Sequence, residues 1–299
     1  MVASKNYTGV KNENLEKCFS LAGGRKSGLS FATLVICAII LLAVPLQISC
    51  SDSGDDNGDS NPSETKPDPV KAALAEGVMY KNVDKLMIAV PGKEFSILAT
   101  EVTQELYKSV MGENPSNFKG EKNLPVEQVS WYDAVVFCNK LSAKCGLTPV
   151  YAVAGETDVS EWGYVPNKGN QMYKYVTQDE NANGYRLPAV EEWQYAAKGG
   201  QEFKYSGSYN SDEVGWYYDN SENKTHPVAQ KKPNGYGLYD MSGNVGEWCW
   251  DSGIDEYRCY CGGSWYHNTD RCGVGNRGSY NVYGKSNYLG FRIVRSTGK

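Results

Sequence analysis

Residues 262–292 read GGSWYHNTDRCGVGNRGSYNVYGKSNYLGFR. A fixed opening, Gly262-Gly263-Ser264-Trp265, and a fixed close, Gly290-Phe291-Arg292, bracket an interior of Tyr, His, Asn, Asp, Arg, Gly and Ser with few aliphatic side chains. Such an interior has too little apolar surface to be core. Tyrosine supplies a large, stiff contact area at small entropy cost, and Ser, Gly and Asn supply adaptable hydrogen bonds, which is the mixture used by binding loops. Loops are polar in any case. Four tyrosines in one segment, Tyr266, Tyr280, Tyr283 and Tyr288, favour a binding surface over a plain solvated loop.

The whole chain of 299 residues has a formal charge of −5, with 30 basic and 35 acidic groups. Residues 1–49 contribute Lys5, Lys11, Lys17, Arg25 and Lys26 against Glu13 and Glu16, so the remainder is more acidic still. Without a Lys/Arg cluster, nucleic acid is not an expected partner, because phosphate neutralisation supplies most of that affinity. Leu29–Ile48 is almost wholly apolar and follows Arg25-Lys26, then ends at Ile48-Ser49-Cys50. Basic flank, apolar run and cysteine are the order of a bacterial export signal ending at a lipidated residue, here Cys50, although Gln47 stands where an aliphatic residue is usual. A permanent transmembrane helix is the alternative, since about 20 apolar residues span a bilayer. The expected organisation is a signal peptide over 1–49, a flexible acidic tether over 50–77 and one domain over 78–299. The tether reading rests on SDSGDDNGDSNPSETKPDP at 51–69, which has no large apolar side chain and cannot offset its ordering entropy.

Within the domain, Leu86–Val90 and Phe95–Ala99 read as strands. Glu101-Val102-Thr103-Gln104 leads into a short helix stopped by Gly112. Ser130 is a sound N-cap and Asp133 suits the first turn of a helix running to Gly146. A third helix covers Val190–Lys198, with Trp193, Ala196 and Ala197 on its inner stripe and Gly199-Gly200 as its stop. Few short helices, many glycines and many aromatics predict an irregular α+β fold with short antiparallel strands. Six cysteines follow Cys50: Cys138 and Cys145 stand too far apart along a helix to bridge, whereas Cys259, Cys261 and Cys272 lie near the binding segment and are placed to pair.

Glu101-Val102-Thr103-Gln104, Pro125-Val126-Glu127 with Val129-Ser130-Trp131, Gly184-Tyr185-Arg186-Leu187-Pro188 with Glu192-Trp193, Met241-Ser242-Gly243-Asn244-Val245 with Glu247-Trp248, and the two brackets above together resemble the formylglycine-generating-enzyme, or sulfatase-modifying-factor, family. The resemblance covers about residues 78–296 and implies the large, loop-rich variant of the C-type lectin fold. The family's copper-dependent oxidase, which acts on a cysteine of sulfatases, holds copper with two cysteines. The matching positions here are His267 and Cys272, so the resemblance does not extend to the oxidase, because a thiolate pair is what selects copper(I). An iron-dependent sulfoxide synthase of the same family would need a histidine cluster, and this chain has two histidines, His226 and His267. The resemblance also implies a structural calcium site at Asn244 and Glu247. The alternative is that these two hydrogen-bond a glycine-rich turn, which Gly246 in place of the usual tryptophan favours. No other cofactor is expected.

The branch most like this chain is the variable protein of diversity-generating retroelements, which carries this fold and is mutated at adenines of AAY codons just before the terminal GFR. Tyr266, His267, Asn268, Asp270, Arg271 and Gly278 all belong to the products such codons allow. So do Ser279, Tyr280, Asn281, Tyr283, Ser286, Asn287 and Tyr288. Arg258 and Tyr260 are expected on the same face, which extends the binding segment to 258–292. Cys272, Val274, Asn276 and Arg277 are expected to be the fixed frame. The function this implies is a surface-displayed bacterial lipoprotein, held at the membrane by Cys50, that recognises a protein or glycan ligand on another cell. The alternatives are an undiversified lectin-like binding lipoprotein and the copper oxidase.

Overall fold

Ser130 decides where the longest described helix begins. Its hydroxyl accepts a hydrogen bond from the Asp133 amide at 3.1 Å, and the Asp133 carboxylate accepts from the Ser130 amide at 2.8 Å. Both donors of the first turn are thereby satisfied. The computed structural model describes residues 67–163, 175–252 and 256–298. The export signal, Cys50 and the tether up to residue 66 lie outside them.

The described helices are α1 (Pro69–Glu76), α2 (Gln104–Met111), α3 (Trp131–Lys144), α4 (Val190–Lys198) and α5 (Ser211–Val214). Gly112 and Gly199 end α2 and α4 with left-handed backbones, the conformation glycine adopts without steric cost. The tether reading ran to residue 77, yet α1 falls inside it. Asp68 caps this helix by accepting from Val70 and Lys71, and Val70, Ala73 and Leu74 are buried. Ordered structure therefore begins before residue 78, because three apolar side chains at helical spacing give α1 a face to bury.

Strands β1 (Met87–Ala89) and β2 (Phe95–Leu98) join β5 (Tyr185–Arg186) and β10 (Val294–Ser296) in one antiparallel sheet of order β1-β2-β10-β5. A small sheet pairs β3 (Tyr151–Val153) with β4 (Val176–Gln178). The third sheet, of order β8-β7-β6-β9, is built from β6 (Gly246–Ser252), β7 (Tyr257–Cys261), β8 (Arg277–Asn281) and β9 (Leu289–Phe291). Here β6 runs parallel to β9 and antiparallel to β7, so GFR carries the chain from the third sheet into β10 of the first.

Alternation divides the third sheet. Cys249, Cys259 and Cys261 turn to a core shared with Trp193, Ala196 and Met241 of the α4 region. Trp248 enters the main core, and Tyr260 and Tyr280 pack against its edge. None of the six described cysteines forms a disulfide. The nearest sulfur partner of Cys261 is Cys249 across the β6/β7 ladder, 3.8 Å away, rather than the Cys259 or Cys272 expected from the sequence. No helix among the described residues is long and apolar enough to cross a membrane.

Candidate functional site

A buried ionic cluster positions the opening of the binding segment. The Arg292 guanidinium, fully buried, donates to Glu247 from Nε at 2.9 Å and from Nη2 at 2.8 Å, and to the carbonyls of Leu98 and Tyr239 at 2.8 Å each. Glu247 also accepts from Trp193 Nε1 at 2.6 Å. Glu101 accepts from Asn244 Nδ2 at 2.8 Å and from the Val245 amide at 2.9 Å. Burial, and then the neighbouring Asp240 and Glu247 charges, push the Glu101 carboxyl well above its ordinary value. Asn244 holds a left-handed backbone, and its carbonyl accepts from the Trp265 amide at 2.8 Å.

This geometry does not fit the calcium site implied for Asn244 and Glu247. Both Glu247 oxygens are taken by Arg292 and Trp193, and Asn244 Oδ1 accepts from the His226 amide at 3.0 Å. A hard cation needs six to eight oxygen ligands free to face it. The hydrogen-bonded turn is the arrangement found.

The backbone of the segment is held by hydrogen bonds from Tyr218, Ser221, Gln128 and Gly246 outside it and from Trp265 within it. The Tyr218 amide donates to the His267 carbonyl at 3.0 Å, Ser221 Oγ donates to the Trp265 carbonyl at 3.0 Å, and Trp265 Nε1 donates to the Asn287 carbonyl at 2.8 Å. In the second loop the Gln128 amide donates to the Ser286 carbonyl at 3.0 Å and the Gly246 amide to the Tyr288 carbonyl at 2.8 Å. Lys285 clamps that loop to α3 through the buried Asp133 carboxylate at 2.6 Å. Each anchor takes a backbone atom of a permitted position or a residue between such positions.

The side chains that project form an aromatic surface. Tyr266 is 55% exposed and stacks on Tyr288 with ring centres 5.5 Å apart. Tyr288 meets His267 at 5.4 Å and Tyr280 at 6.3 Å, both edge-on, and His267 lies over Tyr260 at 6.3 Å. These separations suit the stacked and edge-to-face arrangements that aromatic quadrupoles prefer. Asn268, Asp270, Arg271 and Ser279 are exposed, and Asn281 and Asn287 are half-buried.

Several expectations need correction. Arg258 is buried, its guanidinium 4.7 Å over the Trp131 ring, because the face of β7 that carries Tyr260 to the surface turns inward two residues earlier. Ser286 is also buried, and Tyr283 packs its ring on Tyr132 at 5.7 Å. Arg277, expected in the fixed frame, is exposed and lines a cleft of about 290 Å³ together with Tyr260, His267, Arg271, Gly278 and Ser279. Counting by twos from Ser279 along β8 places Arg277 on the same exposed face, a signal the sequence contains. Cys272 and Val274 are buried, as a frame requires, and Asn276 is tied to the Asp270 carbonyl.

Gly278 and Tyr260 are directly paired across β7 and β8. A Cβ at Gly278 would lie 2.4 Å from the Tyr260 ring, so the two positions cannot vary independently. Gly278→Ala should lower stability and Tyr260→Asn should relieve that loss. A double-mutant cycle by chemical denaturation is expected to give a coupling of about 1–3 kcal/mol, and additive losses would contradict the pairing.

The positions matching the copper cysteines are close but chemically mismatched. Cys272 lies under Gly263, whose Cβ would sit 2.6 Å from its sulfur, and burial pushes the thiol up to about 12. His267 Nδ1 lies 2.8 Å from Ser264 Oγ. Burial, and after it the charge of Arg271, push His267 below the ordinary histidine value. Its neutral form therefore favours the fold above about pH 6.5, and that contribution is lost as pH falls toward the lowered folded-state value. The wild type should lose more thermal stability than His267→Asn between about pH 7 and pH 5. Because His226 titrates in both proteins, equal losses would remove His267 from the account.

Comparison with known proteins follows from this geometry. The family model described as "Sulfatase-modifying factor enzyme 1-like domain" matches residues 80–297. The solved structure of Treponema denticola variable protein 1 is similar at 37% identity and a TM-score of 0.64, covering 71% of this chain and 91% of that one. Chaperone protein LppX of Paenibacillus barcinonensis is 41% identical over 229 residues, 68% of this chain and 80% of that protein. The inactive C-alpha-formylglycine-generating enzyme 2 of Mus musculus is 32% identical over 137 residues, 39% of this chain and 44% of that protein.

Proposed function

The chain belongs to the family of sulfatase-modifying factor enzyme 1-like domains, with the α+β, C-type-lectin-like fold of that family, and from this membership we propose that it is a ligand-binding variable protein rather than an enzyme. In this reading a retroelement diversifies segment 258–292 by adenine-directed mutagenesis, and lipidated Cys50 displays the domain on the outer surface of a bacterium. The ligand is a protein or glycan on another cell.

One observation carries the proposal. Four of the positions whose residues fit AAY codons, Tyr266, His267, Tyr280 and Tyr288, lie ring against ring in one aromatic cluster, while the backbone of the segment is held by hydrogen bonds from Gln128, Tyr218, Ser221 and Gly246. Exposed substitutions then change stability by less than about 0.5 kcal/mol each, so the face tolerates variation that a core would not. Similarity to a variable protein and to an inactive family enzyme supports the same reading. His267 in place of the first copper-binding thiolate, and a Cys272 thiol raised to about 12, argue against the oxidase.

The test is deep sequencing of the gene's 3′ end across one bacterial population, with flanking DNA searched for a near-copy of the segment. Differences confined to adenines of that copy, at codons such as those of Tyr266, Asp270 and Tyr288, are expected. An invariant segment without a nearby copy would overturn diversification and leave a fixed binding lipoprotein.

A further inference from the structure

The cleft beside the aromatic face differs from it in charge. Tyr260, His267, Gly263, Gly278, Arg271, Arg277, Asn276 and Ser279 line the cleft. No carboxylate is among these residues, although the chain as a whole has a net charge of −5. Elsewhere arginine is matched: Arg186 meets Glu192 at 2.6 Å, Arg292 meets Glu247 at 2.8 Å and Arg295 meets Asp84 at 3.8 Å. Arg271 and Arg277 have no such partner among the described residues. The adjacent Asp270 side chain turns to Lys204, 3.6 Å away.

We infer that this cleft is the subsite for one acidic monosaccharide unit of the ligand, with its carboxylate held between Arg271 and Arg277. The inference rests on the binding-protein reading above. A volume of about 290 Å³ is at the small end of ligand pockets, enough for one ring-sized unit. A guanidinium presents planar paired donors that match a carboxylate. Ser279 and Asn276 offer hydrogen bonds to sugar hydroxyls. An aspartate or glutamate side chain of a peptide would use the arginines but bring no hydroxyls to Ser279 and Asn276, so the saccharide is the better fit. The Tyr260 ring covers Gly278, so Gly278 adds no side chain to the lining. Replacement of Arg271, a permitted position, would retune the subsite, so the preference belongs to this sequence.

The purified protein is titrated with N-acetylneuraminate, galacturonate, neutral galactose and a short glutamate peptide, with binding read by ligand-observed saturation-transfer NMR. The acidic sugars should bind at least about tenfold more tightly than galactose. Arg271→Gln and Arg277→Gln should each weaken the acidic sugars at least about tenfold while leaving the melting temperature unchanged, because both side chains are exposed. Equal binding of galactose, binding of the glutamate peptide alone, full affinity in both glutamine variants, or no binding of either acidic sugar would overturn the subsite. None of these outcomes touches the diversification reading, which population sequencing decides independently.

Discussion

Arg292→Met is expected to destabilise the domain by about 3–5 kcal/mol, because it removes one partner of a fully buried ion pair and leaves the other charge uncompensated. Glu247 would lose the donors at 2.8 and 2.9 Å, and the carbonyls of Leu98 and Tyr239 would lose theirs. The carboxyls of Glu101 and Asp240, both buried nearby, also lose a cation that lowers their pKa values. For a domain of this size the loss corresponds to a fall in melting temperature of about 6–20 °C. Arg292→Lys should fall between, since it restores charge without the planar fork. Urea denaturation measures both variants, and a loss below about 1 kcal/mol for Arg292→Met would contradict the central role given to this pair.

The second large effect lies in binding and spares stability. Tyr266→Ala with Tyr288→Ala is expected to weaken the ligand recovered by panning the protein over glycan and surface-protein arrays by at least about a hundredfold, the scale of a central aromatic anchor. The stacked pair stands at the surface, with Tyr266 55% exposed, so the melting temperature should move by only a few degrees. Tyr280 is left out deliberately: its ring packs toward Trp248 at 6.3 Å and crowds Gly284, so its loss would confuse binding with folding. Parallel loss of binding and stability in the Tyr266/Tyr288 variant would refute a binding face separate from the fold.

Much of the framework was legible because its signals are local. Ser130 and Asp133 announce α3 three residues apart, Gly112 and Gly199 announce the ends of two helices, and the run from Val190 to Lys198 carries its inner stripe openly. Helix α1 was missed because Asp68 and Pro69 close an acidic, proline-rich stretch, and the three apolar residues after them gain their meaning only from the surface they meet. Within the segment, composition pointed to Tyr266, His267 and Tyr288, whose rings lie together, but could not separate Arg258 and Ser286, which are buried, from their exposed neighbours.

The sequence by itself determined the kind of segment this is: the brackets at Gly262 and Arg292, the tyrosine-rich interior between them and the mismatch at His267 all depend on residue identity alone. Only the tertiary structure decided which of those residues are exposed. Orientation in this segment depends on contacts with distant positions, such as Trp131 under Arg258, Tyr132 under Tyr283 and Asp133 beneath Lys285. The same holds for the cleft, whose two arginines come together through the pairing of β7 with β8 and the return of the loop that carries Arg271. A polar loop lacks the periodicity that marks the buried side of a strand or helix, and its exposed side is therefore set by what the rest of the chain packs against it.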